Sequence, residues 1–431
     1  MTASERAIEA ASVPLEGEVA AYAGLERWAL ADRWRIYARL REEAPVYGFG
    51  NSALITRYDD VIAVLMDKER VHNGGPSHGV PADVLARLSA GERELLDEII
   101  DWEERWLTSV NGARHTELRG LGQRIFSPRV IPDMRERAVE LTALMLDEIA
   151  ARATVELISE FAYKLPLTMI SEILDIPEEL REPLHRTAKG MMVARTGLAW
   201  RMQLPQGLEQ AHRHFMEMKR LILEVLELRR RAPDTTPLMR NMLDALDDDG
   251  VSDDDVIVLM QLLITAGHRT TTDLLGNAMH ALLTHRDQWQ LLCSEPARIA
   301  DAVEEVLRYR SPGQDVERFA NAPFSLRGVD IEQGRHLTII VGAANFDQRH
   351  FVDPDRFDIA RPDSRAHVSF GRGPHFCLGN ALARLEGQIA IGAIAARFPD
   401  AELVDEEPDW APNTHLLGLS TLELALGPDR G

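Results

Sequence analysis

Apolar residues recur at three- and four-residue spacing through most of the chain, a period that predicts helices. The longest run is Ser252–Thr284, opened by Ser252 with Asp255 three residues on, a pairing able to cap a helix. At about 1.5 Å per residue this helix spans roughly 50 Å, the width of a domain, so it must cross the core. Further helices are predicted over His115–Phe126, Asp133–Arg152, Thr154–Leu174, Glu209–Arg231, Asp301–Arg310 and Asn380–Ala396. Two stretches lose the period. In His72–Gly112, Gly74-Gly75-Pro76 precedes a helical piece with Trp102 and Trp106, and Pro177–Pro205 is methionine-rich. The first has the character of a lid or binding loop. Strict alternation is rare. It predicts a hairpin within Tyr47–Val64 and short strands at Phe324–Leu326, His336–Val341 and Glu423–Ala425. Residues 1–30 read as a loosely held leader, and 31–431 as one mostly α domain with small β-sheets.

Composition narrows the function classes. The net charge of −21 argues against a nucleic-acid partner. No apolar run reaches membrane-spanning length, and the polar N-terminal stretch has the character of neither signal peptide nor anchor. Two cysteines, Cys293 and Cys377, rule out a disulfide framework and suit a reducing, cytoplasmic setting. Cys293 lies in an apolar helical run and reads as an inert buried thiol. The basic run Arg229-Arg230-Arg231 falls at a helix C-terminus, where cations suit the dipole.

The chemistry concentrates in Phe370-Gly371-Arg372-Gly373-Pro374-His375-Phe376-Cys377-Leu378-Gly379, just ahead of the helix at Asn380. Glycines let backbone N–H groups turn toward the sulfur, and the helix presents its positive end to it. Both favour thiolate, so Cys377 is suited to bind a metal or attack an electrophile. With every fixed position of Phe-Gly-x-Gly-x-His-x-Cys-x-Gly filled, the string resembles the haem-binding signature of the cytochrome P450 family. That resemblance extends from Tyr47 to Leu426, with the motifs in the family's order. It implies a soluble bacterial haem-thiolate monooxygenase, haem b held by Cys377, and a long central helix crossing over the haem.

The other motifs gain meaning beside it. Ala266-Gly267-His268-Arg269-Thr270-Thr271, alone a slightly weakened helix, resembles the family's oxygen-binding segment, where the helix widens over the iron. By position Thr270 is the threonine that steadies dioxygen and its proton-carrying water. The family's acidic residue is Arg269 here, and an arginine has no acceptor and keeps its proton. Three readings stand: a tether to an acid on a neighbouring helix, an anchor for a substrate carboxylate, or peroxide use as in the family's peroxygenase branch. That branch loses the threonine, which this chain keeps. Glu305 and Arg308, three residues apart, resemble the Glu-x-x-Arg helix, with Arg356 in Pro354-Asp355-Arg356-Phe357 as third partner locking the meander. His115 and Arg119, at i and i+4, resemble the propionate-binding motif, although Asn111-Gly112-Ala113-Arg114 precedes them in place of the usual Asp-Pro-Pro-Glu. Arg318 and His375 complete that set by position.

The resemblance also implies a pocket drawn from Trp102–Val110, Met191–Met202, Leu263–Thr270, Gln314–Glu317 and Leu417–Thr421. These stretches are mixed in polarity and specify only a medium-sized organic molecule. No flavin or nicotinamide fingerprint is visible, so electrons are expected from ferredoxin and its reductase, with Arg119, Arg372 and Arg384 as a local basic patch. The rival from another class is a haem-binding carrier or sensor without turnover.

Overall fold

The computed structural model describes residues 13–74, 85–126, 131–196, 207–247, 251–405 and 407–431. Helix Asp253–Thr284 organises it. The Ser252 hydroxyl accepts from the Asp255 N–H, and Asp255 accepts in return from the Ser252 N–H at 2.8 Å. Asp253, Asp254 and Asp255 in the first turn suit the helix dipole. Between Asp255 and Leu283 only Ala266, Gly267, Arg269 and Thr270 are not buried, so the helix crosses the core as expected. Helices Lys164–Ile173, Glu178–Thr196, Leu208–Arg231 and Asn380–Arg397 pack around it. One apolar cluster joins them, from Leu96 to Leu426.

Among the described residues the strands are β1 (Val46–Phe49), β2 (Ser52–Ile55), β3 (Val71–His72), β4 (Thr154–Glu156), β5 (Val316–Ala320), β6 (Phe324–Leu326), β7 (Val329–Ile331), β8 (His336–Ile339), β9 (Glu402–Leu403) and β10 (Glu423–Ala425). The larger sheet has the order β1-β2-β8-β5-β3, with β2 and β8 parallel and Leu54 opposite Thr338. A second sheet runs β4-β10-β9, and β6 pairs with β7. The expected hairpin forms as β1 and β2, turning at Gly50 and Asn51.

Three expectations need correction. The part of residues 1–30 that is described is not loosely held: helices Leu15–Ala23 and Arg27–Ala31 dock on Arg33–Glu43. Glu18, wholly buried, is clasped by Arg35 and Arg39. Thr154–Leu174 is not one helix. The Glu156 carboxylate accepts from the N–H of Leu422, Ile158 and Ser159, which pins β4 to β10 and starts the next element at Ile158. A π-helical turn, Ile158–Ala162, then leads into Lys164–Ile173. The less regular stretch Pro177–Pro205 holds a real helix, Glu178–Thr196, which tolerates Pro183, whereas the helical piece expected within His72–Gly112 forms as Ala90–Glu103, capped reciprocally by Ser89 and Glu92. The expected pocket stretch Met191–Met202 lies outside the described residues beyond Thr196.

Candidate active site

Cysteine sits where the loop is most constrained. Gly371 and Gly373 have φ of +70° and +75°, a region that residues with side chains avoid. A Cβ on Gly373 would also fall 2.5 Å from the Leu65 carbonyl oxygen. The Cys377 N–H donates to the Phe370 carbonyl at 2.9 Å and closes the loop. Asn380 Nδ2 donates to the Cys377 carbonyl at 2.7 Å and fixes the start of helix Asn380–Arg397. Protein closes around the sulfur, although the residue stays partly accessible, and burial raises the thiol's pKa. The N–H groups of Gly379 and Asn380 and the charges of Arg119 and Arg384 pull the other way. The loop N–H groups and the helix end thus favour thiolate, and desolvation opposes them. Their field offsets part of the desolvation, and a bound cation would have to supply the rest.

Beside the sulfur, basic groups converge without anions. Helix Gly112–Ile125 carries His115 and Arg119 one turn apart. Arg119 donates to the Phe376 carbonyl at 2.7 Å, and the His115 and His375 rings lie 4.0 Å apart. From β5, Arg318 is buried and donates to the Glu317 carbonyl at 2.7 Å. Among the described residues no carboxylate pairs with Arg119 or Arg318 in a salt bridge. Burial lowers Arg318 to about 10 and His375 to about 3, the latter aided by the charges of His115, Arg318 and Arg119. His115 Nε2 is buried with no hydrogen-bond partner.

The long helix is accessible along one short stretch of its buried span. The four accessible positions, Ala266, Gly267, Arg269 and Thr270, fall in little more than one turn. Thr270 Oγ1 donates to the Ala266 carbonyl at 3.1 Å, and Thr271 and Thr272 bond back similarly to Gly267 and His268. The helix nevertheless stays α-helical from Asp253 to Thr284, so the widening that the resemblance implies is not present. Arg269 Nε donates to Asp273 Oδ2 at 3.0 Å. The expected tether thus exists, but its acid is one turn further on the same helix and not on a neighbour. Asp273 was missed, although i,i+4 spacing to Arg269 was the available signal. Of the expected pocket stretches, Trp102 and Met191 meet the same helix: Trp102 Nε1 donates to Gln261 Oε1 at 2.6 Å, and Gln261 Nε2 lies 3.5 Å from Met191 Sδ. From the C-terminal stretch, the Leu417 carbonyl accepts from Asn277 Nδ2 at 2.9 Å.

Beneath the loop lies a buried ionic frame. Arg308 donates to both Glu305 oxygens, at 2.8 and 2.9 Å, with both side chains fully buried. Its remaining donors reach the carbonyls of Asn345, Pro354 and Arg356. The third partner is Arg361, whose Nε lies 3.3 Å from Glu305 Oε1. Arg356 was expected there, but its side chain is 67% exposed and faces Asp358; it contributes only its carbonyl. Arg384 pairs with Glu304 at 2.6 Å, and Arg372 donates to the carbonyls of Ala366 and His367. Together with Arg119, these arginines are all engaged within the fold.

A helical chain with a cysteine on a glycine loop, basic groups gathered beside it and a long helix crossing the core has the layout of a haem-thiolate oxidoreductase. The cytochrome P450 family model matches residues 89–423. The 6-deoxyerythronolide B hydroxylase of Saccharopolyspora erythraea is 34% identical over 403 residues, covering 92% of this chain and 96% of the relative. The polyketide biosynthesis cytochrome P450 PksS of Bacillus subtilis is 32% identical, covering 91% and 95%. The structure of P450BioI with an acyl carrier protein bearing hexadec-9Z-enoic acid superposes at a TM-score of 0.82, with 29% identity, covering 92% and 98%. The chain belongs to the cytochrome P450 family and is an oxidoreductase of that family. The family's cofactor is haem, and the residues here fit one. Its two propionates are the anions that Arg119, Arg318 and the orphaned His115 Nε2 lack.

Proposed function

We propose that this chain is a monooxygenase that binds haem b and hydroxylates a medium-sized natural-product intermediate of polyketide-like character. Cys377 would ligate the iron, and His115, Arg119, Arg318 and His375 would hold the propionates. When bound, the haem supplies the redox chemistry that splits dioxygen. Electrons would come from a ferredoxin and its reductase, in the cytoplasm; among the described residues no helix is long and apolar enough to cross a membrane. The observation that carries the reading is the anion-free basic cluster directly beside the cysteine.

The chain's own part in turnover is to bind, orient and supply protons. Thr270 spends its hydroxyl proton on the Ala266 carbonyl, so its lone pairs remain to accept from a water in the cavity. Arg269 cannot pass a proton on, so relay through that position falls to water. The relatives' names, a 6-deoxyerythronolide B hydroxylase and a polyketide biosynthesis cytochrome P450, support the substrate class. Purified protein should give the thiolate-type Soret band of a ferrous–CO complex. With surrogate ferredoxin and reductase it should consume oxygen and NAD(P)H and hydroxylate a member of a polyketide panel. A CO complex without turnover on any donor would return the chain to the carrier class, and robust turnover on peroxide alone would make it a peroxygenase.

A further inference from the structure

Asp273 is an acid with no assigned task. It is 2% exposed, and burial pushes its pKa up to about 6 even though Arg269 pulls it down. Its position is fixed from two sides. Arg269 Nε donates to Oδ2 at 3.0 Å, and the backbone of Gly418 presses on Oδ1 so closely that a Cβ there would sit 1.9 Å away. Arg269 is the only charged residue among the four accessible positions of the long helix, and its side chain is 36% exposed. A lone guanidinium at such a place is a receptor for any carboxylate that enters. Here the receptor already holds one.

We propose that Asp273 is a specificity-determining residue, a built-in counter-ion that occupies Arg269 and so turns the site against carboxylic acids and toward uncharged substrates. This deepens the monooxygenase reading and rests on it. A substrate acid approaching Arg269 meets a neutralised cation and, one helical turn away, a buried like charge that cannot retreat. Rejection by a fixed like charge is a means of discrimination that costs the preferred neutral ligand nothing. Release of Arg269 should restore acid binding, by substitution or by protonation. The titratable groups that reach the pair are few. His268 lies beside Arg269 on the same helix, and Tyr163, ahead of helix Lys164–Ile173, feels both Arg269 and Glu182 of helix Glu178–Thr196. Gly418 contributes backbone only.

The test uses the haem-loaded protein and a homologous series of ω-(imidazol-1-yl)alkanoic acids with their methyl esters. The imidazole ligates the iron, so binding is read as an optical shift without turnover. At pH 7.5 the wild-type protein should bind each ester more tightly than its acid. Asp273→Asn should raise the acid-to-ester affinity ratio at least about tenfold at the best-fitting length. In the wild type the same ratio should rise between pH 7.5 and 5.5, and in Asp273→Asn it should not; the ratio cancels the imidazole's own protonation. The pH comparison needs no variant to fold. A ratio unmoved by both the substitution and the pH overturns the proposal. If the same preparations lack the thiolate-type CO band, it is the haem-thiolate reading that fails, and the two failures are thereby distinguished.

Discussion

At the cysteine loop buried basic groups outnumber the anions that meet them, whereas on the long helix the single accessible cation is already matched. Arg119, Arg318 and His115 bear the cost of burial without a carboxylate, and His375 is forced down to about 3 by burial and by its neighbours' charges. Arg269, by contrast, has an acid placed for it at i,i+4. Both arrangements use the same side-chain chemistry. An unpaired buried cation is expensive to fold, so its persistence points to an anion acquired after folding. A paired one turns its surroundings neutral. On the proposed reading the two groups would divide the work: one would hold a dianionic cofactor, and the other would leave the substrate space without net charge.

Removing the sulfur breaks the first half of this comparison most completely. Cys377→Ala should abolish the thiolate-type ferrous–CO band outright. The loop should survive, because the bonds that close it run through backbone, from the Cys377 N–H to Phe370 and from Asn380 to the Cys377 carbonyl. Circular dichroism and the melting curve of the apoprotein should stay close to the wild type. A variant that unfolds instead would mean that the sulfur is a packing element.

The ionic frame under the loop is next in size. Glu305→Ala would strand Arg308 and remove the acceptor of Arg361 and of the Asp358 N–H, all in a buried setting. Breaking one partner out of such a pair costs about 3–5 kcal/mol, readable as a fall in the urea midpoint. Arg356→Ala should cost little, since that side chain is largely exposed. Equal losses from the two substitutions would restore Arg356 to the frame in place of Arg361.

The contrast between Arg356 and Arg361 also shows what the chain's letters could not convey. The resemblance put an arginine of the meander near Glu305, but which of two arginines five residues apart turns inward depends on the path of the meander. The loop at Cys377 was legible because its constraints are contiguous, ten residues with their glycines in place. The long helix was legible because its cap and its apolar period agree. β4 and β5 were not, since Val155 and Phe319 are buried through pairing with distant strands and no local alternation announces them. Helix Glu178–Thr196 hid behind Pro183. Asp273 lies outside every motif recognised in the sequence, though its spacing from Arg269 was plain.

A pH comparison sharpens the long-helix half. Asp273 titrates at about 6 in the folded chain against 3.8 for the free side chain. The folded protein thus binds the extra proton between those values, and the associated stability is present at low pH and lost as pH rises through about 6. Asp273→Asn carries no such dependence. Relative to that variant, the wild type should lose up to about 3 kcal/mol of unfolding free energy between pH 4 and pH 7. The difference should be flat above that range. A difference that instead grows in the wild type's favour with rising pH would mean that Arg269 holds the carboxyl below its ordinary value, and the neutralised wall would then be a strong ion pair.

The smallest effect tests the contact that fixes this acid in place. Gly418 has an ordinary backbone conformation, so its substitution is limited by space alone: a Cβ would lie 1.9 Å from Asp273 Oδ1 and 2.3 Å from its Cγ. Either the loop or the carboxylate must move, and the carboxylate is held by Arg269 at 3.0 Å. Overpacking of this kind costs about 1–3 kcal/mol. The same methyl in an Asp273→Ala background should cost far less, because the atoms it strikes are gone. A double-mutant cycle in urea should therefore return a coupling of about 1–2 kcal/mol between positions 273 and 418. Strict additivity would show that the loop relaxes without touching the acid, leaving Arg269 as the only restraint on Asp273. The acid would then be free to swing, and the discrimination against carboxylates would depend on the ion pair alone.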